Sequence, residues 1–131
     1  AILEERSLEP IFQRMNDIDL TVVGIGNVQK QSTLYETGYL SEDELHDFQA
    51  KGAVGEVLLY HYDLQGNIIE SDFHDRLIGI GIEGLRNIKT VIGVACGQNK
   101  VESIVGAIRA KLINGLITDE ATAESILTYG T

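Results

Sequence analysis

Ten residues, Val91 to Lys100 (VIGVACGQNK), constrain the fold more than any other stretch of the chain. The apolar, β-branched residues show no polar alternation and read as a buried strand; they run into Gly97, and a helix opens beyond it with Lys100 near its start. Val101, Ile104, Val105, Ile108 and Leu112 then recur on one helical face, which predicts an amphipathic helix. A strand entering a helix through glycine has chemical consequences. The first N–H groups of a helix have no intrahelical acceptor and concentrate positive partial charge, so they attract anions, phosphate above all. Gly97 removes the Cβ that would hold a ligand off the backbone, and Lys100 can bring a full charge to the same place. The spacing is not that of a P-loop. A tight turn beside a solvated lysine accounts equally well for these residues taken alone.

The remaining segments extend the same pattern. Apolar spacing at Leu8, Ile11, Phe12 and Met15 predicts a helix to about Asn16, and Leu20 to Ile25 (LTVVGI) predicts a strand buried on both faces. That strand leaves through Gly24-Ile25-Gly26-Asn27, whose two glycines do not meet the dinucleotide fingerprint. Residues 28–40 read as polar loop. Ser41-Glu42-Asp43-Glu44 has the capping-box form and opens a helix to about Ala50. One strand is expected over Val57–Tyr62, a turn at 63–67, and a short return strand at Ile68-Ile69. A short helix over 82–88, a strand over 90–95, a last strand over 115–118 and a closing helix capped by Thr118 or Asp119 complete the series. Alternating strands and helices predict an α/β fold, Rossmann-like, with a mostly parallel sheet and a β-hairpin insert. Ligands in such sheets sit beyond the carboxyl ends of the strands, here at Gly24 to Asn27, Cys96 to Lys100 and Thr118 to Glu120.

Charge and cysteine usage narrow the functional classes. Ten Lys and Arg face twenty Asp and Glu, a formal net charge of −10, which opposes direct binding to DNA or RNA. A basic anion site would have to work against that field. The single cysteine, Cys96, excludes an internal disulfide and fits a reducing, cytoplasmic compartment. No apolar run approaches a membrane span, and no signal-peptide pattern is visible. The chain opens on AILEER without an initiator Met, so it is expected to be part of a longer protein.

Candidate chemistry is limited. Glu56, after Gly55, is an acceptor-only group suited to sugar hydroxyls, although an edge carboxylate facing water is the commoner use of such a residue. Ser32 and Thr33 can donate to a phosphate or serve as turn residues. Asp119 and Glu120 read as helix-start carboxylates. Cys96, just ahead of a helix start and near Lys100, is placed to be a nucleophile, but no histidine stands near it in sequence. Histidine and cysteine spacing gives no metal site, and no cofactor is expected.

Six segments, in order, resemble the effector-binding domain of SorC-type bacterial transcriptional regulators. They are VVGIGNV (22–28), TGYLS (37–41), KGAVGEVLLYHYDLQGN (51–67), RLIGI (76–80), VIGVACGQNKVESIVGAI (91–108) and LINGLITDEATAESIL (112–127). The resemblance implies a fold similar to sugar-phosphate isomerases and CoA-transferases, a phosphorylated sugar or similar signal as effector, and assembly as dimers or tetramers. It also implies DNA binding through an N-terminal helix-turn-helix that, with the first part of the effector domain, is not in this chain, so that residues 1–131 form a partial domain. By the same resemblance Glu56 holds sugar hydroxyls and Lys100 holds phosphate. The loop holding Ser32 and Thr33 lies near the effector in relatives, and Gly97 and Gly26, at the two strand exits, are expected to border the same site. Relatives often carry Gly-Gly where this chain has Cys96-Gly97, and Asp where it has Glu56. A sugar-phosphate isomerase or transferase of similar fold is the alternative, because fold alone does not assign function.

Overall fold

The computed structural model describes residues 2–130, without the side chain of Leu3. In chain order the elements are α1 (Glu9–Met15), β1 (Leu20–Gly24), β2 (Gly26–Asn27), α2 (Thr33–Glu36), α3 (Glu42–Ala50), β3 (Ala53–Val57), β4 (Tyr60–Asp63), α4 (Gly81–Asn87), β5 (Thr90–Val94), α5 (Val101–Arg109), β6 (Gly115–Ile117) and α6 (Glu120–Leu127). Single 3₁₀ turns occupy Ile2–Glu4, Asp72–Arg76 and Gln98–Lys100.

The mostly parallel sheet with its hairpin insert resolves into two three-stranded sheets. One is parallel, in the order β1-β5-β6, and the other is antiparallel, in the order β2-β3-β4. Parallel register sets Leu20 beside Thr90 and Ile92 beside Gly115. Val23 and Val91 point from this sheet into the main core, with Leu85, Ile104, Val105, Leu112 and Ile126. Leu20 and Val22, on the opposite face, are each 57% exposed, and Val94 and Ile117 are exposed as well. The expectation of a strand buried on both faces is therefore met on one face only, because the described helices cover a single side.

The antiparallel sheet is held against α5. Gly55 and Gly106 leave no room for a Cβ: one added at Gly55 would lie 2.7 Å from both Ser103 Cβ and the Tyr62 hydroxyl oxygen. The Tyr62 hydroxyl donates to the Ser103 carbonyl at 2.8 Å, and Ser103 Oγ donates to the Val54 carbonyl at 2.7 Å. Burial pushes the Tyr62 phenol far above its ordinary range. A second core of Val28, Leu40, Leu45, Phe48, Ile69 and Phe73 forms around α3, whose Ser41–Glu44 capping box is present as expected.

Three local expectations are corrected. The strand expected over Val57–Tyr62 is a hairpin, β3 and β4, joined by the two-residue turn Leu58-Leu59. Both leucines have positive φ, 49° and 71°, a conformation that such turns normally give to glycine or asparagine. The 28–40 segment contains α2, capped by Ser32. The return strand at Ile68-Ile69 is a single bridge from Ile68 to Tyr62.

His61 is 1% exposed and stacks on Phe48, with ring centroids 3.7 Å apart and planes within 9°. Its Nδ1 donates to the Leu59 carbonyl at 3.0 Å. Burial lowers its pKa from 6.5 to about 4. The folded state thus keeps His61 neutral while the unfolded chain takes up a proton below 6.5, so this contribution to stability is lost as pH falls from 6.5 through about 4. At about 1.4 kcal/mol per pKa unit the loss is on the order of 3 kcal/mol. Denaturant titrations at pH 7.5 and pH 4.5 should show His61→Phe losing less stability than wild type by roughly that amount.

Candidate functional site

Beyond the carboxyl ends of β1 and β5 lies a cleft of about 330 Å³, lined by Gly26, Asn27, Gln31, Ser32, Thr33, Leu34, Glu56, Asn99 and Lys100. Five of the six residues expected from sequence meet there, from four separate segments of the chain. Gly26 comes from β2, Ser32 and Thr33 from the start of α2, Glu56 from β3, and Lys100 from the 3₁₀ turn ahead of α5.

Glu56 is the most constrained of these. It pairs with Gly26 across the antiparallel ladder, and its carboxylate lies directly over that glycine. A Cβ at Gly26 would fall 2.1 Å from Glu56 Oε1, so no larger residue fits while the carboxylate holds this place. Glu56 Oε2 accepts from the Leu59 N–H at 2.8 Å, which bridges the strained turn. Burial raises the Glu56 pKa, against smaller opposing effects of the Leu59 N–H and the Lys100 charge.

Lys100 Nζ donates to the Ile25 carbonyl at 2.8 Å, tying the start of α5 to the link between β1 and β2. Its charge is therefore met by a neutral acceptor and, electrostatically, by Glu56. Gln98 and Asn99 open the helical turn, so their N–H groups have no acceptor within the helix. Ser32 is buried, and its Oγ accepts from the Tyr35 N–H at 3.4 Å, while Thr33 is exposed at the first position of α2.

Gly97 stands apart from the other five and does not line the cleft. Its φ of 109° suits glycine, and a Cβ there would lie 2.9 Å from Asn99 Oδ1. Its N–H donates to Thr122 Oγ1 at 2.9 Å, and that hydroxyl donates to Asp119 Oδ2 at 2.7 Å. Gly97 thus couples the turn to the start of α6. Asp119 caps that helix by accepting from the Thr122 N–H, and these bonds hold its carboxyl below the ordinary range.

Sequence reasoning passed over Asn27, Gln31 and Asn99, which also line the cleft. Asn27 directly follows Gly26 and Asn99 directly precedes Lys100, both residues already singled out. Polar residues with amide groups at strand exits were the available signal. A larger cleft, about 740 Å³, lies elsewhere and is walled by Asp43, Glu44, Asp47, Glu70, Asp72 and Asp75, with Lys51 and His74 among them. Carboxylates so dense repel an anion. No group of three or more potential ligands that could hold a metal occurs among the described residues.

The fold is α/β, and the cleft sets one cation among hydrogen-bonding groups, an arrangement suited to a small-molecule ligand. Residues 1–128 match the family described as "Putative sugar-binding domain". The transcriptional regulator LsrR of Enterobacter sp. (strain 638) is 36% identical over 126 residues, covering 94% of this chain and 39% of that protein. The deoxyribonucleoside regulator of Bacillus subtilis (strain 168) is 34% identical over 124 residues, covering 95% of this chain and 39% of that protein. Among solved structures, the full-length sorbitol operon regulator SorC from Klebsiella pneumoniae superposes with a TM-score of 0.87 at 28% identity, covering 96% of this chain and 40% of that one. The chain belongs to this family of sugar-binding domains, of the SorC type. It spans about two fifths of the length of the curated relatives it matches.

The buried Glu56 carboxylate yields a stability prediction. Its folded-state pKa lies above the ordinary 4.5, so the ionised form disfavours folding once pH rises past that pKa, and the cost vanishes when the group is protonated in both states. Glu56→Gln should therefore be more stable than wild type at pH 8, with the gain disappearing by about pH 4. Thermal unfolding across that range checks the sign.

Proposed function

We propose that this chain is the C-terminal part of the effector-binding domain of a bacterial transcriptional regulator, holding part of its ligand pocket, and that it senses a phosphorylated sugar or a related phosphorylated signal. The supporting observation is the meeting of Glu56, Lys100, Ser32 and Thr33 at one cleft beyond the strand ends of an otherwise acidic chain. Lys100 Nζ and the open N–H groups at Gln98 and Asn99 take the phosphate, with Ser32 and Thr33 donating to it. Glu56 accepts from sugar hydroxyls, Gly26 lets the sugar approach, and Gly97 sets the turn. The relatives are named as regulators, which favours sensing over turnover.

In the whole protein, by this reading, a preceding segment supplies the rest of the effector domain and a helix-turn-helix that binds DNA. Parallel sheets are normally covered on both faces, and the exposed Leu20, Val22, Val94 and Ile117 give the preceding segment a surface to cover. Effector binding shifts the population between two arrangements of paired subunits, in a dimer or tetramer, and so changes the fit to the operator. The Glu56 bond to the Leu59 N–H offers a route for that shift, since Leu58 and Leu59 also wall an apolar groove with Tyr39, Phe73 and Ile78. The protein works in the cytoplasm, consistent with the absence of any described helix long and apolar enough to cross a membrane.

Calorimetric unfolding of the full-length protein with pentose, hexose and polyol phosphates, each beside its unphosphorylated counterpart, tests the reading. At a hundredfold excess over Kd, a true effector should stabilise by about 2.7 kcal/mol. The shift should be confined to phosphorylated compounds and lost in Lys100→Met and Gly26→Ala, the latter by displacing the Glu56 carboxylate. Indifference to every phosphorylated compound would overturn it.

A further inference from the structure

Asn27 is 7% exposed, and its Oδ1 is fully buried without a hydrogen-bond partner. Such an oxygen is unusual in a protein interior, where polar groups are paired. The contrast with Asn114 is direct. That side chain accepts from the Val91 N–H and donates to the Lys89 carbonyl, both at 2.9 Å, and so satisfies both ends of its amide structurally. Asn27 is spent on no such contact. It stands instead in the wall of the cleft that holds Glu56 and Lys100, and also in the wall of an adjoining cleft of about 450 Å³ running past Asn99 and Ser103.

A carbonyl oxygen can be satisfied only by a donor. Phosphate oxygens of an ionised ester are acceptors, so the anionic end of a ligand cannot satisfy Asn27 Oδ1. A hydroxyl can. We propose that Asn27 is a specificity-determining residue of this cleft, whose Oδ1 accepts a hydrogen bond from an effector hydroxyl. The inference rests on the effector-site reading above and narrows it. The ligand places hydroxyls between two acceptors, Glu56 and Asn27, with its phosphate toward Lys100. A deoxy analogue leaves the amide oxygen buried and unpaired, and a site built to bind a hydroxyl discriminates against a ligand that lacks it.

The test is titration calorimetry on the full-length protein with matched pairs: ribose 5-phosphate against 2-deoxyribose 5-phosphate, and glucose 6-phosphate against its 2-deoxy and 3-deoxy forms. Wild type should prefer the hydroxylated member of at least one pair by about tenfold or more. Asn27→Val and Asn27→Ala should each erase that preference by weakening the hydroxylated ligand while leaving the deoxy ligand's affinity nearly unchanged. A wild type that binds phosphosugars without any such preference overturns the inference and leaves the effector site standing. So does a preference that survives in either variant. A wild type that binds none of these phosphosugars removes the effector-site reading itself, and the role of Asn27 with it.

Discussion

The site depends on one carboxylate placed where a carboxylate is costly. Glu56 sits over Gly26 with Oε2 bonded to the Leu59 N–H, and burial raises its pKa. That single contact does two kinds of work. It ties down a turn whose two leucines adopt left-handed conformations, and strain of this kind persists only where surrounding structure holds it. It also fixes the carboxylate at the cleft, with Oε1 held over the bare backbone of Gly26. The hairpin and the cleft therefore share one anchor, and the Glu56 carboxylate can fold over β2 because residue 26 has no side chain.

Lys100 supplies the opposing charge without cancelling the first. Its ammonium group bonds to the Ile25 carbonyl and so remains near Glu56 while neither group is hydrogen-bonded to the other. The helix start behind it is braced separately, by the Gly97 N–H, the Thr122 hydroxyl and the Asp119 carboxylate in series. The turn is thus rigid on the α6 side and open on the cleft side. In a chain with a formal charge of −10, one fixed cation beside unpaired helix N–H groups is a local exception that an anion would find at short range, where screening is weak.

Much of this was legible in the sequence, for identifiable reasons. The β5 strand, its glycine turn and α5 follow from uninterrupted apolar residues and a sharp helical periodicity, and the Ser41 cap follows from local chemistry, which left the last cap to Thr118 or Asp119 until the structure gave it to Asp119. The Leu58-Leu59 turn was not legible, because VLLYHY carries no glycine, asparagine or proline to mark it. The device that braces it is the hydrogen bond that the Leu59 N–H donates to the Glu56 carboxylate, on the strand that enters the turn. α2 was missed because its four residues have too little periodicity to register, although Ser32 is a good cap. The exposure of Leu20 and Val22 could not be read either, since an apolar run records what a strand is built to contact rather than which residues cover it. Among site residues, those with a charge or a glycine announced themselves, whereas Asn27 became distinctive only once its oxygen could be seen to lack a donor.

That last difference bears on how such a cleft selects a ligand. A cation and open N–H groups attract any phosphate ester and give affinity without much discrimination. Acceptors behave differently, because an acceptor facing an acceptor is repelled and an acceptor facing carbon is left unpaired. On the proposed reading, Glu56 and Asn27 therefore set the terms for the rest of the molecule that a phosphate would bring with it. Glu56 carries a charge and a further bond to Leu59, so its demand for a donor is partly met within the protein. Asn27 Oδ1 has no internal donor among the described residues. Of the two acceptors it is, on the proposed reading, the more exacting, since its donor would have to arrive with the ligand.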